Sequence, residues 1–309
     1  MNKTAFLFAG QGAQTVGMGK DVCEALSPAA AVYDLGERLL PGVCRTCFDG
    51  DAGVLNRTEN TQPCLFLTDL AIAESLRAAG IVPDAVAGFS LGEIPALSFS
   101  GVLSAADAFR FVVRRGQSMS RQAELHPGGM VAALKLSAET VNEICGRFRE
   151  VWPVNYNCPG QVSCAGNVSE LDDFCLAIKE AGGRAVKLAV SGAFHTPYMS
   201  EVVPELRAFL DKTEIFSPDI PVYANRTGER YASAREEVAD CLSRQVASPV
   251  RWEKILRSMW ESGIRTFIEV GAGSTLTGFV RRTLPEAKAL TVNDVASYNQ
   301  CLEQVKREG

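Results

Sequence analysis

The sequence predicts an α/β fold: a mainly parallel sheet covered by helices on both faces, interrupted by a small α+β insert. Two observations carry this. At both ends of the chain short apolar runs alternate with longer helical patterns, as parallel sheets require. Between them the order changes to β-α-β-β-α-β, the ferredoxin-like split unit. The expected division is residues 1–125 and 192–309 for the large domain and 126–191 for the insert.

Thr4–Ala9 is a short apolar run ending in glycine and reads as a buried strand followed by a loop. Thr61–Ala79 reads as a long apolar helix with Thr61 as N-cap and Gly80 as its stop. Asp84–Phe89 is a strand, and Leu91–Phe99 is helical. Ser104 opens another helix, with Asp107 in the acidic capping position. In the insert, Met130–Leu136 is a strand and Ala138–Phe148 a helix. Pro153–Asn157 and Gln161–Ala165 form a hairpin about Pro159–Gly160. Ser169 caps a helix through Ala181, with Asp172 as its capping partner, and Arg184–Val190 is the last strand. Beyond it, Pro221–Asn225 and Thr266–Val270 are strands, and Glu236–Val246, Trp252–Glu261 and Ser297–Arg307 are helices.

Composition narrows the function. The 309 residues are 47% hydrophobic and 22% charged, which excludes global disorder. A net charge of -5 argues against nucleic-acid binding by whole-molecule charge. No apolar run approaches the roughly 20 residues of a membrane span, and the N-terminal run is too short for a signal peptide. The 10 Cys read as reduced, buried thiols of a cytoplasmic protein. Cys44 and Cys47 form one CxxC, but with only 2 His in the chain a zinc site lacks ligands, so no metal is expected.

Gly88-Phe89-Ser90-Leu91-Gly92 matches G-x-S-x-G between a strand and a helix, a context that exposes a serine hydroxyl on a sharp turn. The Leu91 amide would stand at a helix N-terminus, suited to an oxyanion. The plain alternative is a glycine-rich turn. A serine nucleophile needs a base. His126 lies beside Pro127-Gly128-Gly129, as a surface-loop histidine would. His195, in Ser191–Pro197, follows the junction of insert and main domain, where clefts form, and is the preferred base. No acid marks itself as a third member, so a backbone carbonyl is the expected partner of the ring.

Arg115 shares a helix face with Phe111, Val112 and Met119. An arginine on an inward stripe needs an anion, either a core carboxylate or a substrate carboxylate taken by its planar fork. Arg114, on another face, is the contrast. Gly10-Gln11-Gly12 offers backbone amides after the first strand. It is neither G-x-G-x-x-G, because of Thr15, nor a Walker loop, because Gln14 and Asp21 break that pattern.

Together, Phe8–Gln14, Gly88–Glu93, Arg115-Gly116, Pro153–Gly160, Gly192–His195, Arg244-Gln245 and Glu269–Gly273 resemble the malonyl-CoA:acyl-carrier-protein transacylases of fatty acid and polyketide synthesis. They run in family order along nearly the whole chain. The resemblance implies a hydrolase-like main domain and a ping-pong transfer. In that scheme Ser90 attacks malonyl-CoA with His195 as base, and the amides of Gln11 and Leu91 hold the oxyanion. The Gln245 backbone carbonyl orients the histidine, and Arg115 binds the malonyl carboxylate. Asn157 and Gly10 line the substrate cleft, and the acceptor is the phosphopantetheine thiol of acyl carrier protein. No metal or redox cofactor is implied, CoA being part of the substrate, and a monomer is the expected state. Two departures stand out. Phe89 replaces the family's usual histidine. Pro95 replaces a small residue in the following helix, where a kink or a tightened first turn is expected. The change to Ala272 in the EVGPG-like segment carries no expected consequence.

Other readings of the same residues are a methylmalonyl transferase, an acyl hydrolase acting on acyl carrier protein, a conventional esterase, and a non-catalytic carrier-docking module. The esterase would show an acid and lack the arginine. The docking module would lack Ser90 or His195. Arg184, Lys187, Arg281 and Arg282 are candidates for a local basic patch that meets an acidic carrier.

Overall fold

The computed structural model describes residues 3–190 and 192–308. Ser191, the first residue of the SGAFHTP segment and the last of the expected insert, lies outside the described residues. Nine strands are present among the described residues: β1 (Lys3–Phe8), β2 (Ala85–Gly88), β3 (Gly128–Leu134), β4 (Val151–Cys158), β5 (Gln161–Asn167), β6 (Arg184–Lys187), β7 (Val222–Tyr223), β8 (Ile264–Val270) and β9 (Lys288–Val292). They form two sheets. One is five-stranded and parallel, in the order β7-β2-β1-β8-β9. The other is four-stranded and antiparallel, in the order β4-β5-β3-β6. The α/β class and the split β-α-β-β-α-β order are as the patterning predicts.

The parallel sheet positions the site. Its central strand β1 is apolar from Ala5 to Phe8 with no exposed residue, as a strand covered on both faces must be. β2 and β8 flank it. The loops after β1, β2 and β8 therefore leave from one end of the sheet, the carboxyl end where open α/β sheets form their crevice. The helix Thr58–Ala78 packs against this sheet and is buried nearly all round.

The insert keeps its own core on one sheet face, where Val131, Ala133, Val162 and Cys164 meet Phe174, Ile178 and Ile144. Residues of opposite parity, among them Met130, Ala132 and Ser163, face a cavity toward the main domain. A parallel bridge pins the two sheets' domains together: the Val250 amide donates to Val154 O at 2.8 Å, and the Tyr156 amide to Val250 O at 2.9 Å. That bridge fixes where β4 stands relative to the carboxyl end of the parallel sheet.

Several local expectations are corrected. The long helix begins at Thr58, with extended Arg57 before it. Thr61 is not a cap; its hydroxyl donates to Leu55 O at 2.6 Å and ties the preceding turn to the helix. Ser169 is not a cap either. Its hydroxyl and amide both donate to Asn167 Oδ1, and the helix Leu171–Glu180 starts after Glu170. The strand expected over Pro221–Asn225 shrinks to Val222–Tyr223, because Asn225 turns away to bond other segments. The final insert strand stops at Lys187 rather than Val190. β9 escapes the apolar-run criterion because it opens with Lys288 and stays half-buried until Val292. Ser104 does cap the helix Ala105–Leu125, accepting from the Asp107 amide at 3.1 Å.

Pro95 produces no kink. The α-helix runs Glu93–Phe99, which puts Pro95 in its first turn, where an amide has no helical acceptor to lose. The tightening lies earlier, in a 3₁₀ turn over Ser90–Gly92. Among the described residues no helix is long and apolar enough to cross a membrane. No cluster of three or more His, Cys, Asp or Glu side chains suited to a metal ion occurs among them. All ten cysteines are free thiols.

Candidate active site

β2 ends at Gly88, and the chain reverses through Phe89 and Ser90 into the helix. Both glycines are sterically required. A Cβ at Gly88 would lie 1.9 Å from the Gly92 carbonyl, and one at Gly92 would lie 2.3 Å from Phe8 O. Ser90 is left at φ 51, a left-handed conformation that costs a non-glycine residue about 1–2 kcal/mol. Two side chains hold it there. The Ser90 amide donates to Asn225 Oδ1 at 2.6 Å, and Ser90 O accepts from Gln245 Nε2 at 2.6 Å. Asn225 Nδ2 also donates to Gly88 O at 2.6 Å, so one carboxamide closes both sides of the turn.

Ser90 Oγ lies 2.7 Å from His195 Nε2. His195 Nδ1 lies 3.0 Å from both Gln245 O and Ser248 O. Carbonyl oxygens only accept, so Nδ1 carries the proton and Nε2 is left to accept from the serine. Burial and the nearby Arg115 cation push the His195 pKa down to about 4, against the opposing pull of the two carbonyls. The imidazole is therefore neutral at pH 7. No carboxylate bonds the ring among the described residues. The Gln245 carbonyl is one acceptor of the ring and Ser248 O is a second.

Arg115 is 2% exposed. Its Nη1 donates to Gln62 Oε1 at 2.7 Å, and Nη2 donates to Gln245 Oε1 at 2.9 Å and to Ser90 Oγ at 3.2 Å. Its Nε is buried with no partner. Among the described residues it makes no ion pair, so no core carboxylate bonds it directly; buried Glu93 meets it only through the Gln245 carboxamide. Burial lowers its pKa to about 10, partly opposed by Glu93, which leaves it a cation at pH 7. The neighbouring Arg114 instead reaches the surface and pairs with Glu205 at 3.1 Å. The buried stripe of Phe111, Val112 and Met119 accounts for the difference.

A cavity of about 480 Å³ opens in front of these groups, lined among others by Gly10, Gln11, Ser90, Arg115, Asn157 and His195. Gly10 lets the loop after β1 touch the serine turn, since a Cβ there would lie 2.5 Å from Phe89 O. Leu91 and Gln245 stand behind the cavity wall, Leu91 in the first turn of the helix where amides lack helical acceptors. On the insert side, Asn157 Nδ2 donates to Ser163 Oγ at 3.1 Å, while Oδ1 of both Asn155 and Asn157 is buried without a partner. Phe89 lines the cavity and packs edge-on against Trp252, with ring centroids 5.4 Å apart, and against Phe279 at 6.1 Å. A larger hollow of about 640 Å³, near Arg57, Glu59 and Ser120, contains none of the expected side chains. His126 is exposed, stacked on Tyr198 at 4.9 Å, and away from the site.

The site also uses residues that the sequence did not advertise: Gln62, Glu93, Asn225, Tyr231 and Ser248. Glu93 closes the GFSLGE segment, so its position was in view but not its partners. It is fully buried and accepts from Tyr231 Oη at 2.6 Å, Gln245 Nε2 at 2.8 Å and the Asn225 amide at 3.2 Å. Burial pushes its pKa up to about 7, against those three bonds and the Arg115 cation. Asn225 carries no local mark, since it meets Ser90 from 135 residues away.

A model of the acyl transferase domain matches residues 5–305. The malonyl CoA-acyl carrier protein transacylase of Bacillus subtilis is 35% identical, over 100% of this chain and 99% of that protein. The protein of the same name from Haemophilus influenzae is 35% identical over 97% of this chain and 98% of its own length. Among solved structures, the malonyl CoA-acyl carrier protein transacylase of Clostridium perfringens superposes with a TM-score of 0.93 at 35% identity, covering 99% of this chain and 98% of that one. A malonyl-transacylase solved in complex with a type II PKS acyl-carrier protein superposes at 0.94 and 32% identity, covering 98% and 99%.

Proposed function

This chain belongs to the acyl transferase domain family, and we propose that it moves a malonyl group from malonyl-CoA to the phosphopantetheine thiol of an acyl carrier protein through a malonyl-Ser90 intermediate. The observation that carries this reading is Arg115: a buried cation that among the described residues has no ion pair, its Nη2 3.2 Å from Ser90 Oγ and its Nε unpartnered. Nε and Nη2 lie along one edge of the planar guanidinium, the edge that takes a carboxylate by two parallel bonds. An acyl group ending in a carboxylate satisfies that edge, and an acetyl group leaves it empty.

The reaction is ping-pong. Ser90 Oγ attacks the thioester carbonyl as its proton passes to His195 Nε2, 2.7 Å away. Negative charge develops on the carbonyl oxygen, toward the amides of Gln11 and Leu91. The C–S bond then breaks, and the departing CoA sulfur takes the proton from His195. In the second half the carrier's thiol gives its proton to Nε2, its sulfur attacks the malonyl ester, and Ser90 leaves with the proton. The Nδ1 bonds to Gln245 O and Ser248 O hold the ring in the tautomer that both halves need. No metal or redox group enters this scheme, and CoA is part of the substrate. Asn157 and Gly10 would contact the substrate from opposite walls of the cavity. The exposed Arg184 and Arg281 remain available to an acidic carrier, whereas Arg282 donates to Gln161 Oε1 at 2.6 Å and Lys187 is paired with Asp172 at 2.6 Å.

The test is intact mass after brief incubation with malonyl-CoA, acetyl-CoA or methylmalonyl-CoA, using wild type and Ser90→Ala. A malonyl adduct on the wild type alone is expected. An adduct from acetyl-CoA alone would remove the carboxylate from the reading. CoA release without an adduct would turn the enzyme into a hydrolase.

A further inference from the structure

We propose that the Glu93 carboxylate is a positioning residue that sets both the strained Ser90 turn and the Arg115 fork, by dictating the orientation of the Gln245 carboxamide and holding the Asn225 backbone amide. The proposal rests on Ser90 as nucleophile and Arg115 as carboxylate hook. It adds a residue that lines no part of the cavity and touches no substrate.

The argument is one of donors and acceptors. An ionised carboxylate only accepts, so every group facing Glu93 must donate to it. Tyr231 Oη and the Asn225 amide occupy Oε1, at 2.6 and 3.2 Å. Gln245 Nε2 occupies Oε2 at 2.8 Å. A carboxamide has one donor end and one acceptor end. With its NH₂ turned to Glu93, Gln245 donates to Ser90 O at 2.6 Å and leaves Oε1 facing Arg115 Nη2 at 2.9 Å. Turned the other way, the NH₂ would face the guanidinium, donor against donor, and Ser90 O would lose its partner. The Asn225 backbone is held by Glu93, and its side chain spans the Ser90 amide and Gly88 O. Both polar backbone groups of the left-handed Ser90 are thus satisfied by side chains anchored on one buried carboxylate. The anion also faces the Arg115 cation across the Gln245 amide, partly compensating a charge that has no ion pair of its own.

Protonation of Glu93 would turn one oxygen into a donor and undo the constraint. The titratable and charged groups facing it are Tyr231, Cys241 on the helix Arg235–Arg244, and Arg115. Its ionisation falls near neutrality, because burial opposes the charge while Tyr231, Gln245, Asn225 and Arg115 support it.

The experiment compares wild type, Glu93→Gln and Tyr231→Phe for the rate of acyl loading, as kcat/KM, with malonyl-CoA and with acetyl-CoA between about pH 6 and pH 8. Glu93→Gln keeps the volume but puts an NH₂ where an acceptor stood; with its carbonyl kept on the side where the Tyr231 hydroxyl and the Asn225 amide both donate, the NH₂ meets Gln245, which reverses. The malonyl-to-acetyl ratio should fall roughly tenfold or more, the loss of one charge-assisted bond at the hook. In the wild type the ratio should fall as pH drops and Glu93 gains its proton. Tyr231→Phe removes a bond that favours the carboxylate, so the same fall should move to higher pH. In Glu93→Gln the ratio should be flat with pH. A folded Glu93→Gln chain with the wild-type ratio, or with an equal loss for both acyl groups, overturns the proposal. So does a pH dependence of the ratio that persists in Glu93→Gln. If Glu93→Gln fails to fold, the midpoint in Tyr231→Phe decides: an upward shift supports the proposal and an unmoved midpoint overturns it. A wild-type chain that forms no malonyl-Ser90 adduct fails at the earlier step, and takes the proposal with it.

Discussion

Replacing Arg115 by alanine should separate charged from neutral acyl groups. Its guanidinium is desolvated and lies 3.2 Å from Ser90 Oγ, with an unpartnered Nε on the edge that would face a malonyl carboxylate. Two charge-assisted hydrogen bonds at that edge are worth about 1.5–3 kcal/mol each. Against this stand the desolvation of the incoming carboxylate and the partial loss of the Ser90 contact. A net of about 3 kcal/mol remains, because the arginine is already buried and already oriented by Gln62 and Gln245. At about 1.4 kcal/mol per decade, kcat/KM for malonyl loading should fall roughly 100- to 200-fold. Acetyl loading makes no use of the edge and should change only by about threefold, so the ratio of the two rates carries the signal. The assay is release of free CoA thiol in the first half-reaction, without carrier protein, measured for both acyl-CoAs on wild type and Arg115→Ala. An equal loss for both acyl groups would mean that Arg115 serves the serine and histidine rather than the acyl carboxylate, and would refute the hook.

Two further outcomes follow from the same geometry. Burial and, second to it, the Arg115 cation hold the His195 pKa down to about 4, so wild-type acetyl loading should keep its neutral base down to about pH 5 and lose it through about pH 4; in Arg115→Ala the smaller of those two causes is gone, so the acid limb should move to higher pH, and an unmoved limb in the pH-rate profile would sink this account. Ser90→Gly and Ser90→Ala both delete the hydroxyl, but only glycine relieves φ 51, a strain of about 1–2 kcal/mol, so the glycine variant should melt roughly 1.5–3 °C above the alanine variant; calorimetry finding it equal or lower would remove strain from the turn.

Much of the site is legible in the chain because its logic there is local. Gly88 and Gly92 flank a serine between a strand and a helix, and their contacts leave no room for a Cβ. The Arg115 face follows from helical period, which puts Phe111, Val112 and Met119 beside it and Arg114 at the surface. His195 stands out because the chain has only two histidines and the other lies in an exposed turn. Local patterning fails where side-chain chemistry has two uses. Thr61 and Ser169 have the composition of helix caps but spend their hydroxyls on Leu55 O and Asn167 Oδ1.

The class of fold, the serine turn and the face Arg115 presents are written locally in the chain, since steric exclusion and helical period act over a few residues. Tertiary structure alone decided who meets whom. Asn225 reaches Ser90 across 135 residues, Gln245 reaches Arg115 across 130, and Glu93 reaches Tyr231 across 138. A buried polar group must find a partner, but hydropathy and period say only that it is buried. The partner is set by the order of strands in the parallel sheet and by the bridge from Val250 to β4, which bring these segments to one end of the sheet.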